Sequence, residues 1–384
     1  MDKEKAYRDL IAHTNNWLFE MPENDLLMEI LEMRFTPEEA AFLSRFPHFP
    51  HTLNELSARL GIPADELERT MEPMIYKGFI YKVNGKSATR YTFTDPIFFF
   101  GRLPGWRGED NAFNRKFAPL FNTYYDRHMG ADFLGHPTKG LRAIPIAKTV
   151  KDTRLIAPYE DVVAYVEKEV FHTVSFCPCR HAHNLDPANE PCPHEKEVCL
   201  HFGKLGRYIV DHDMGREITK AETLEILARC ADAGLVHAIS NTKHGMDTIC
   251  NCCSCCCIFV RPIDLPADVR REHHQPSSYQ VSHDEEACIA CGKCAQRCPV
   301  DAIELRDKEG VEPPPDGRKL KPRDRKEWVY NPDFCIGCGV CVHKCPTQAI
   351  TLVHRGQDAD IPESFSQAGQ RMLSERKRDF SKLF

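Results

Sequence analysis

The 384-residue sequence has no long apolar run, and none approaches the roughly 18 residues that a membrane-spanning helix needs. Its first residues are charged and lack both an apolar stretch and a small-residue cleavage site, which argues against a secretory signal. Nucleotide-binding fingerprints are also missing, since neither G-x-G-x-x-G nor a Walker loop occurs. We therefore expect a cytoplasmic protein with no membrane span and no flavin or NAD site built on these motifs.

An excess of basic residues is lacking as well. The chain has 50 Lys+Arg against 56 Asp+Glu, a formal net charge of -6. Residues 1–100 alone hold 11 Lys+Arg and 16 Asp+Glu. Because proteins bind phosphate backbones mainly through Lys and Arg, nucleic acid is not an expected partner.

The first hundred residues predict helices followed by a hairpin. Thr52-Leu-Asn-Glu55 is a capping box that starts a helix ending near Gly61, and a second helix follows it directly. Asn84-Gly85 is a turn signal between two strand-like runs. This order resembles a winged-helix domain. The second helix is mostly acidic, so we expect the domain to pack against the chain or a partner rather than to read DNA.

Cysteine is absent before Cys177, yet the chain contains 19 cysteines, and all except Cys230 lie in four short groups. Cytosolic thiols are kept reduced and the count is odd, so a disulfide framework is excluded. Cys230 lies among apolar residues of a predicted helix and is expected to be a buried thiol. The grouped cysteines are therefore predicted metal ligands.

The strongest motif is a repeat of C-x2-C-x2-C-x3-C-P, which begins at Cys288 and again at Cys335. The doubled spacing resembles the bacterial two-cluster ferredoxins over about residues 282–353 and favours iron-sulfur clusters over zinc. The resemblance implies two 4Fe-4S clusters, each with three ligands from one repeat and the fourth from the other. The implied ligands are Cys288, Cys291, Cys294 and Cys345 for one cluster, and Cys335, Cys338, Cys341 and Cys298 for the second.

Ten further cysteines lie upstream and are also predicted metal ligands. They are Cys177, Cys179, Cys192, Cys199, Cys250, Cys252, Cys253, Cys255, Cys256 and Cys257. The simplest partition assigns the first four to one centre and the 250–257 run to a second, which predicts one or two further iron-sulfur clusters rather than zinc. Four histidines close to these cysteines, His181, His183, His194 and His201, leave a mixed Cys/His site open. Hydrogen bonding is the commoner role for such histidines.

The central segment, with CPCR and ICNCCSCCC, resembles a widespread group of iron-sulfur proteins of anaerobic bacteria and archaea that commonly end in a two-cluster ferredoxin. We therefore expect an α+β chain of five parts. They are a winged-helix-like domain (1–100), a connecting segment (101–160), a cysteine-rich module (161–275), a ferredoxin domain (276–353) with a βαβ repeat, and a polar helical tail (354–384).

These features favour an electron-transfer protein or subunit over an independent enzyme. It would pass single low-potential electrons to or from a partner oxidoreductase in anaerobic metabolism. Two alternatives stay open. One is a redox sensor acting through the winged-helix-like domain, and the other is a reductase with a substrate-binding cluster in the central module.

Overall fold

The computed structural model describes residues 2–146, 149–150, 160–261, 275–312 and 319–378. Helices and strands both occur throughout these ranges, so the expected α+β class is confirmed. The strands form one six-stranded sheet in the middle of the chain and three two-stranded sheets. No helix in the described ranges is long and apolar enough to cross a membrane.

Five helices and a hairpin form the N-terminal part. They are α1 (Lys3–Thr14), α2 (Asp25–Arg34), α3 (Pro37–Leu43), α4 (Leu53–Leu60), α5 (Ala64–Tyr76), β1 (Ile80–Asn84) and β2 (Thr89–Phe93). The side chains of Thr52 and Glu55 each accept a hydrogen bond from the other residue's backbone N–H, which confirms the predicted capping box at the start of α4. Gly61 ends α4 in the left-handed conformation. β1 and β2 pair antiparallel, which confirms the predicted hairpin.

A buried histidine, His48, lies between two aromatic rings in this part. Its ring centroid is 4.1 Å from that of His13 and 4.9 Å from that of Trp17, and both contacts are stacked. Burial, with a smaller contribution from His13, lowers the pKa of His48 from 6.5 to about 3. The unfolded chain therefore binds a proton at this imidazole at a pH where the folded chain does not, and the fold loses stability as pH falls below 6.5.

When the pH falls from roughly 7.5 to roughly 5.5, proton uptake by His48 in the unfolded chain is expected to lower the free energy of unfolding by about 1.4 kcal/mol. The substitution His48→Gln removes the titrating group, so the variant should show a correspondingly weaker pH dependence. Urea titrations of both proteins at the two pH values, in anaerobic buffer, measure the difference. An equal pH dependence in both proteins would contradict the assignment.

The next segment packs against the cysteine-rich module instead of only connecting to it. It contains α6 (Leu103–Trp106), α7 (Ala112–Tyr124), α8 (Gly130–Gly135) and two π-helical stretches, Ile97–Arg102 and Tyr125–Met129. The Tyr125 hydroxyl donates a hydrogen bond to the carbonyl of Ile258 (2.8 Å), and Phe133 packs edge-on against Phe259. Buried side chains from α1 to residues 257–260 thus form one hydrophobic core. Residues 147–148 and 151–159 of the expected connecting segment lie outside the described ranges.

The six-stranded sheet carries the cysteine-rich module. Its strands are β3 (Leu141–Ala143), β4 (His172–Phe176), β5 (Glu197–Phe202), β6 (Arg216–Ile218), β7 (Val236–Ser240) and β8 (Thr248–Cys252), in the order β3-β7-β8-β5-β4-β6. All neighbouring strands are antiparallel. Four helices surround it: α9 (Val162–Lys168), α10 (Pro178–Leu185), α11 (Gly203–Asp211) and α12 (Lys220–Ala233). The grouped cysteines of this module lie at the end of β4, in α10, in the loop before β5, on β5 and β8, and in the turn after β8, and Cys230 lies in α12.

The C-terminal part is built from two antiparallel strand pairs and short helices. Its elements are β9 (Tyr279–His283), α13 (Lys293–Arg297), β10 (Ile303–Asp307), α14 (Pro322–Arg325), β11 (Lys326–Tyr330), β12 (Ile350–His354) and α15 (Phe365–Glu375). β9 pairs with β12, and β10 pairs with β11. The predicted tail helix is present as α15. It packs on the chain itself, since Glu375 accepts hydrogen bonds from Thr138 and Arg378 donates one to the carbonyl of Trp17.

Candidate metal centres

Two cavities in the C-terminal part are each lined by four cysteines. The outer cavity is lined by Cys288, Cys291, Cys294 and Cys345. The inner cavity is lined by Cys298, Cys335, Cys338 and Cys341. The structure thus brings together the same two sets of four that the sequence predicts. Each set takes three cysteines from one repeat and one from the other, because the paired strands place the two repeats side by side.

Backbone geometry closes these loops around the cavities. The N–H of Ala290 donates to Cys288 Sγ at 3.4 Å and the N–H of Ala302 donates to Cys298 Sγ at 3.2 Å, contacts of the kind that tune cluster sulfurs. Gly337 has a φ of +68°, and a Cβ there would lie 2.3 Å from the carbonyl oxygen of Tyr279. Glycine is therefore required where the inner loop crosses β9.

The two cavities differ in exposure and in their neighbours. Cys291 of the outer cavity is exposed, whereas Cys335, Cys338 and Cys341 of the inner cavity are buried. The carbonyl of Cys338 accepts a hydrogen bond from the N–H of Ile146 (3.2 Å), and Cys338 belongs to the core that also contains thiols of the central module. The outer cavity is thus accessible to a partner, while the inner cavity faces the centre of the molecule.

Charged contacts hold the C-terminal part against α12. The guanidinium of Arg297 donates to the carbonyl oxygens of Ala231 (3.0 Å) and Val340 (3.2 Å). Asp232 pairs with His343 at 2.6 Å and with Lys344 at 2.9 Å. These contacts flank Cys341, so they fix the inner cavity relative to the central sheet.

Eight central cysteines line a third cavity. Two of them, Cys253 and Cys256, also belong to a separate group of thiols, and we call the site formed by the other six the six-thiol cavity. These six are Cys177, Cys179, Cys199, Cys250, Cys252 and Cys257. Successive thiols are within hydrogen-bonding range of each other in the order 199, 250, 252, 257, 179, 177. Cys250 and Cys252 reach the same cavity because alternate residues of β8 point to the same face of the sheet.

The other four central thiols form a separate and tighter cluster, the four-thiol group. It consists of Cys192, Cys253, Cys255 and Cys256, whose sulfur atoms all lie within 4.8 Å of one another. Cys192 comes from the loop before β5, and the other three come from the turn after β8. Cys253 and Cys256 also line part of the six-thiol cavity wall, so the two groups are adjacent.

This grouping differs from the partition expected from the sequence. That partition placed Cys192 with Cys177, Cys179 and Cys199, but Cys192 lies with the turn after β8. The 250–257 run is itself divided between the two groups. The physical reason is that β8 ends at Cys252 and the chain then turns, so neighbouring cysteines point in different directions.

Two arginines supply positive charge beside these thiols. Arg180 is fully buried and donates to Cys253 Sγ (3.4 Å) and to the carbonyl of Asn251 (3.3 Å). Burial alone would lower the pKa of Arg180, but the nearby Cys177 and Cys253 sulfurs outweigh it and raise that pKa above its ordinary value. Arg102 lines the six-thiol cavity, and the nearby Cys250 sulfur raises its pKa against the effect of burial. Arg180 is the last residue of the CPCR motif, but the motif predicts no role for it, and no sequence motif marks Arg102.

Hydrogen bonds between thiols also shift the pKa values of cysteines in the six-thiol cavity. Hydrogen bonds from Cys199 and Cys252 lower the pKa of Cys250 well below its usual range, despite burial. Burial raises the pKa of Cys257, but hydrogen bonds from Cys179 and Cys252 outweigh this effect and lower it to about 6. Cys250 and Cys257 are therefore readily available as thiolates, the form that binds metals.

Three of the four candidate histidines hydrogen-bond to protein groups. His181 Nε2 contacts the carbonyl of Glu109 (3.0 Å), His183 Nε2 contacts that of Glu190 (2.9 Å), and His201 Nε2 contacts Ser175 Oγ (3.0 Å). In the described ranges, one set of three or more candidate ligand atoms lies within 4.8 Å of one another. This set contains no histidine. The geometry thus supports hydrogen bonding rather than a mixed Cys/His site.

Residues 287–349 match the family described as 4Fe-4S dicluster domain. The match contains all eight cysteines of the outer and inner cavities, which supports an iron-sulfur protein of the ferredoxin type with an electron-transfer domain. Comparison with curated proteins finds no match.

Proposed function

We propose that the chain is an iron-sulfur electron-transfer protein or subunit, which passes single low-potential electrons to or from a partner oxidoreductase in anaerobic metabolism. The pair of four-cysteine cavities with unequal exposure carries this proposal. Each cavity offers the four thiolates that a 4Fe-4S cluster takes, and such a cluster supplies a one-electron couple. The outer set, with exposed Cys291, would face the redox partner, and the inner set would face the central module.

The six-thiol cavity is the proposed site of a third iron-sulfur cluster. It is lined by more cysteines than either ferredoxin-type cavity. Arg102 and Arg180 would offset the negative charge of cluster and thiolates, a charge that is costly to bury without a partner. A cluster in this cavity would extend the path for electrons beyond the two ferredoxin-type sites.

The N-terminal part is proposed to be a winged-helix-like domain that serves as a structural platform. The end of α5, its would-be recognition helix, is held by the rest of the chain. The Tyr208 hydroxyl donates to the carbonyl of Ile75 (2.9 Å), and Arg107 donates to that of Tyr76 (3.0 Å). These contacts, together with the acidic surface of α5, count against a sensor that reads DNA.

A reductase with an incompletely ligated cluster is also less well supported. Such a site needs fewer protein ligands than the four that hold a cubane, so that one iron stays open to substrate. The six-thiol cavity offers more than four. An electron-transfer role for the central module fits this surplus of ligands better.

We expect anaerobically purified protein to contain about twelve irons and about twelve acid-labile sulfides per chain, four for each of three clusters. Metal and sulfide analysis checks the number, and reduction by dithionite followed by EPR shows whether the clusters accept electrons. Reduced protein should in turn pass electrons to a one-electron viologen dye. A count of about eight irons would contradict the central cluster only. Clusters that cannot be reduced, or that do not pass electrons to the dye, would contradict the electron-transfer function.

A further inference from the structure

The four-thiol group is more compact than the other cysteine sets. Cys253 Sγ lies 3.0 Å from Cys256 Sγ, 3.3 Å from Cys255 Sγ and 3.9 Å from Cys192 Sγ. Cys192 Sγ is in turn 3.4 Å from Cys255 Sγ and 3.8 Å from Cys256 Sγ. In the described part of the chain, it is the only set of three or more His, Cys, Asp or Glu ligand atoms that all lie within 4.8 Å of one another.

This spacing corresponds to four sulfurs around a single ion. With a zinc-sulfur bond of about 2.3 Å, the sulfurs of a tetrahedral site lie about 3.8 Å apart. A cubane spreads its four thiolates further, because each binds a different iron at a separate corner. Neither ferredoxin-type set converges to within 4.8 Å, although both surround cavities. The four-thiol group therefore differs in kind from the cluster sites of the same molecule.

We propose that Cys192, Cys253, Cys255 and Cys256 bind one Zn²⁺ ion in a tetrahedral tetrathiolate site. This site is independent of the electron-transfer function, and it replaces the second central iron-sulfur cluster that the sequence allowed. Zinc is favoured over ferrous iron because nitrogen and sulfur sites bind Zn²⁺ more tightly than Fe²⁺. Zinc has no redox chemistry, so the site would be structural.

The surroundings fit such a site. Arg180 donates to Cys253 Sγ at 3.4 Å and offsets part of the negative charge of four thiolates. The ion would join the loop before β5 to the turn after β8, and that turn also supplies Cys257 to the six-thiol cavity. Zinc would thus hold the wall of the central cluster site in place.

The test compares metal content in anaerobically purified wild-type protein and three variants. Wild type should contain about one zinc per chain in addition to its irons. Cys255→Ala should lose that zinc and keep its iron, since Cys255 is the exposed member of the group. Cys255→His should keep the zinc, because Cys3His is a common zinc ligand set. Cys230→Ala, at a buried thiol outside both central groups, is the matched control and should keep all metals.

A second readout does not depend on electron transfer. Protein produced with Co²⁺ in place of zinc should show the visible absorption of tetrahedral tetrathiolate cobalt, and this absorption should be missing in Cys255→Ala. Loss of iron instead of zinc from Cys255→Ala, or wild-type protein that contains no zinc, would overturn the proposal. Unchanged zinc in Cys255→Ala would overturn it as well. Failure of the electron-transfer function would instead appear as clusters that cannot be reduced in protein with full zinc.

Discussion

Alanine in place of Cys250 is expected to remove about four irons and about four sulfides per chain, one cluster of the three, while leaving zinc unchanged. Cys250 lies between Cys199 and Cys252 in the order of the six thiols, and hydrogen bonds from both hold its pKa well below the usual range. Its loss should also leave the nearby Arg102 charge without its main partner. Iron, sulfide and zinc analysis, with EPR of the reduced protein, measures the effect.

The control for this variant is Cys230→Ala, because Cys230 is buried in the same module but lines none of the four metal sites. Burial raises the pKa of the Cys230 thiol to about 12, so it stays protonated and is a poor ligand. The control should therefore keep about twelve irons. If Cys250→Ala also kept all its irons, Cys250 would not be a required ligand of the central cluster.

The two ferredoxin-type cysteine repeats are recognisable in the sequence because each motif is local, and the ligand sets are what their resemblance to the bacterial two-cluster ferredoxins implies. Three cysteines within seven residues close around one cavity, and the proline after the fourth directs the chain away from it. The helix at Thr52 and the hairpin at Asn84-Gly85 were predictable for the same reason, since caps and turns depend on neighbouring residues.

The division of the central thiols could not be predicted in this way. It depends on where β8 ends, since Cys252 is the last residue of the strand and Cys253 begins the turn. It also depends on a contact over 61 residues, which brings Cys192 to 3.9 Å from Cys253. The role of Arg180 has the same origin, because its partners, Asn251 on β8 and Cys253 in the turn after it, are distant in sequence. The spacing of cysteines in the sequence does not indicate such long-range contacts.

The expected connecting segment illustrates a further limit. No local motif in this segment indicates the surface against which it packs. In the structure Phe133 packs on Phe259 of the turn region, so the segment belongs to the core of the metal-binding part. An amphipathic pattern indicates that one face of a segment is buried. Only the tertiary structure shows which element covers that face.

Serine in place of Cys338 is expected to interrupt electron flow between the outside and the central module. Cys338 is buried in the inner cavity and shares a hydrophobic core with Cys252 and Cys257 of the six-thiol cavity. We propose that the inner cluster passes electrons between the exposed outer cluster and the central one. Without the inner cluster, a small reductant should still reduce the outer cluster quickly, but reduction of the central cluster should become much slower.

Rapid mixing with a photoreduced one-electron donor, followed by freeze-quench EPR, separates the two reductions. The paired variant is Cys291→Ser in the exposed outer cavity, which should slow reduction of both other clusters by a protein donor. Serine at position 338 keeps the backbone carbonyl that binds the N–H of Ile146, so contact with the central module should persist and can be verified by thermal unfolding. Reduction of the central cluster at the wild-type rate in Cys338→Ser would show that electrons reach it by another route. The order from outer to inner to central cavity would then be wrong, even if all three clusters are present.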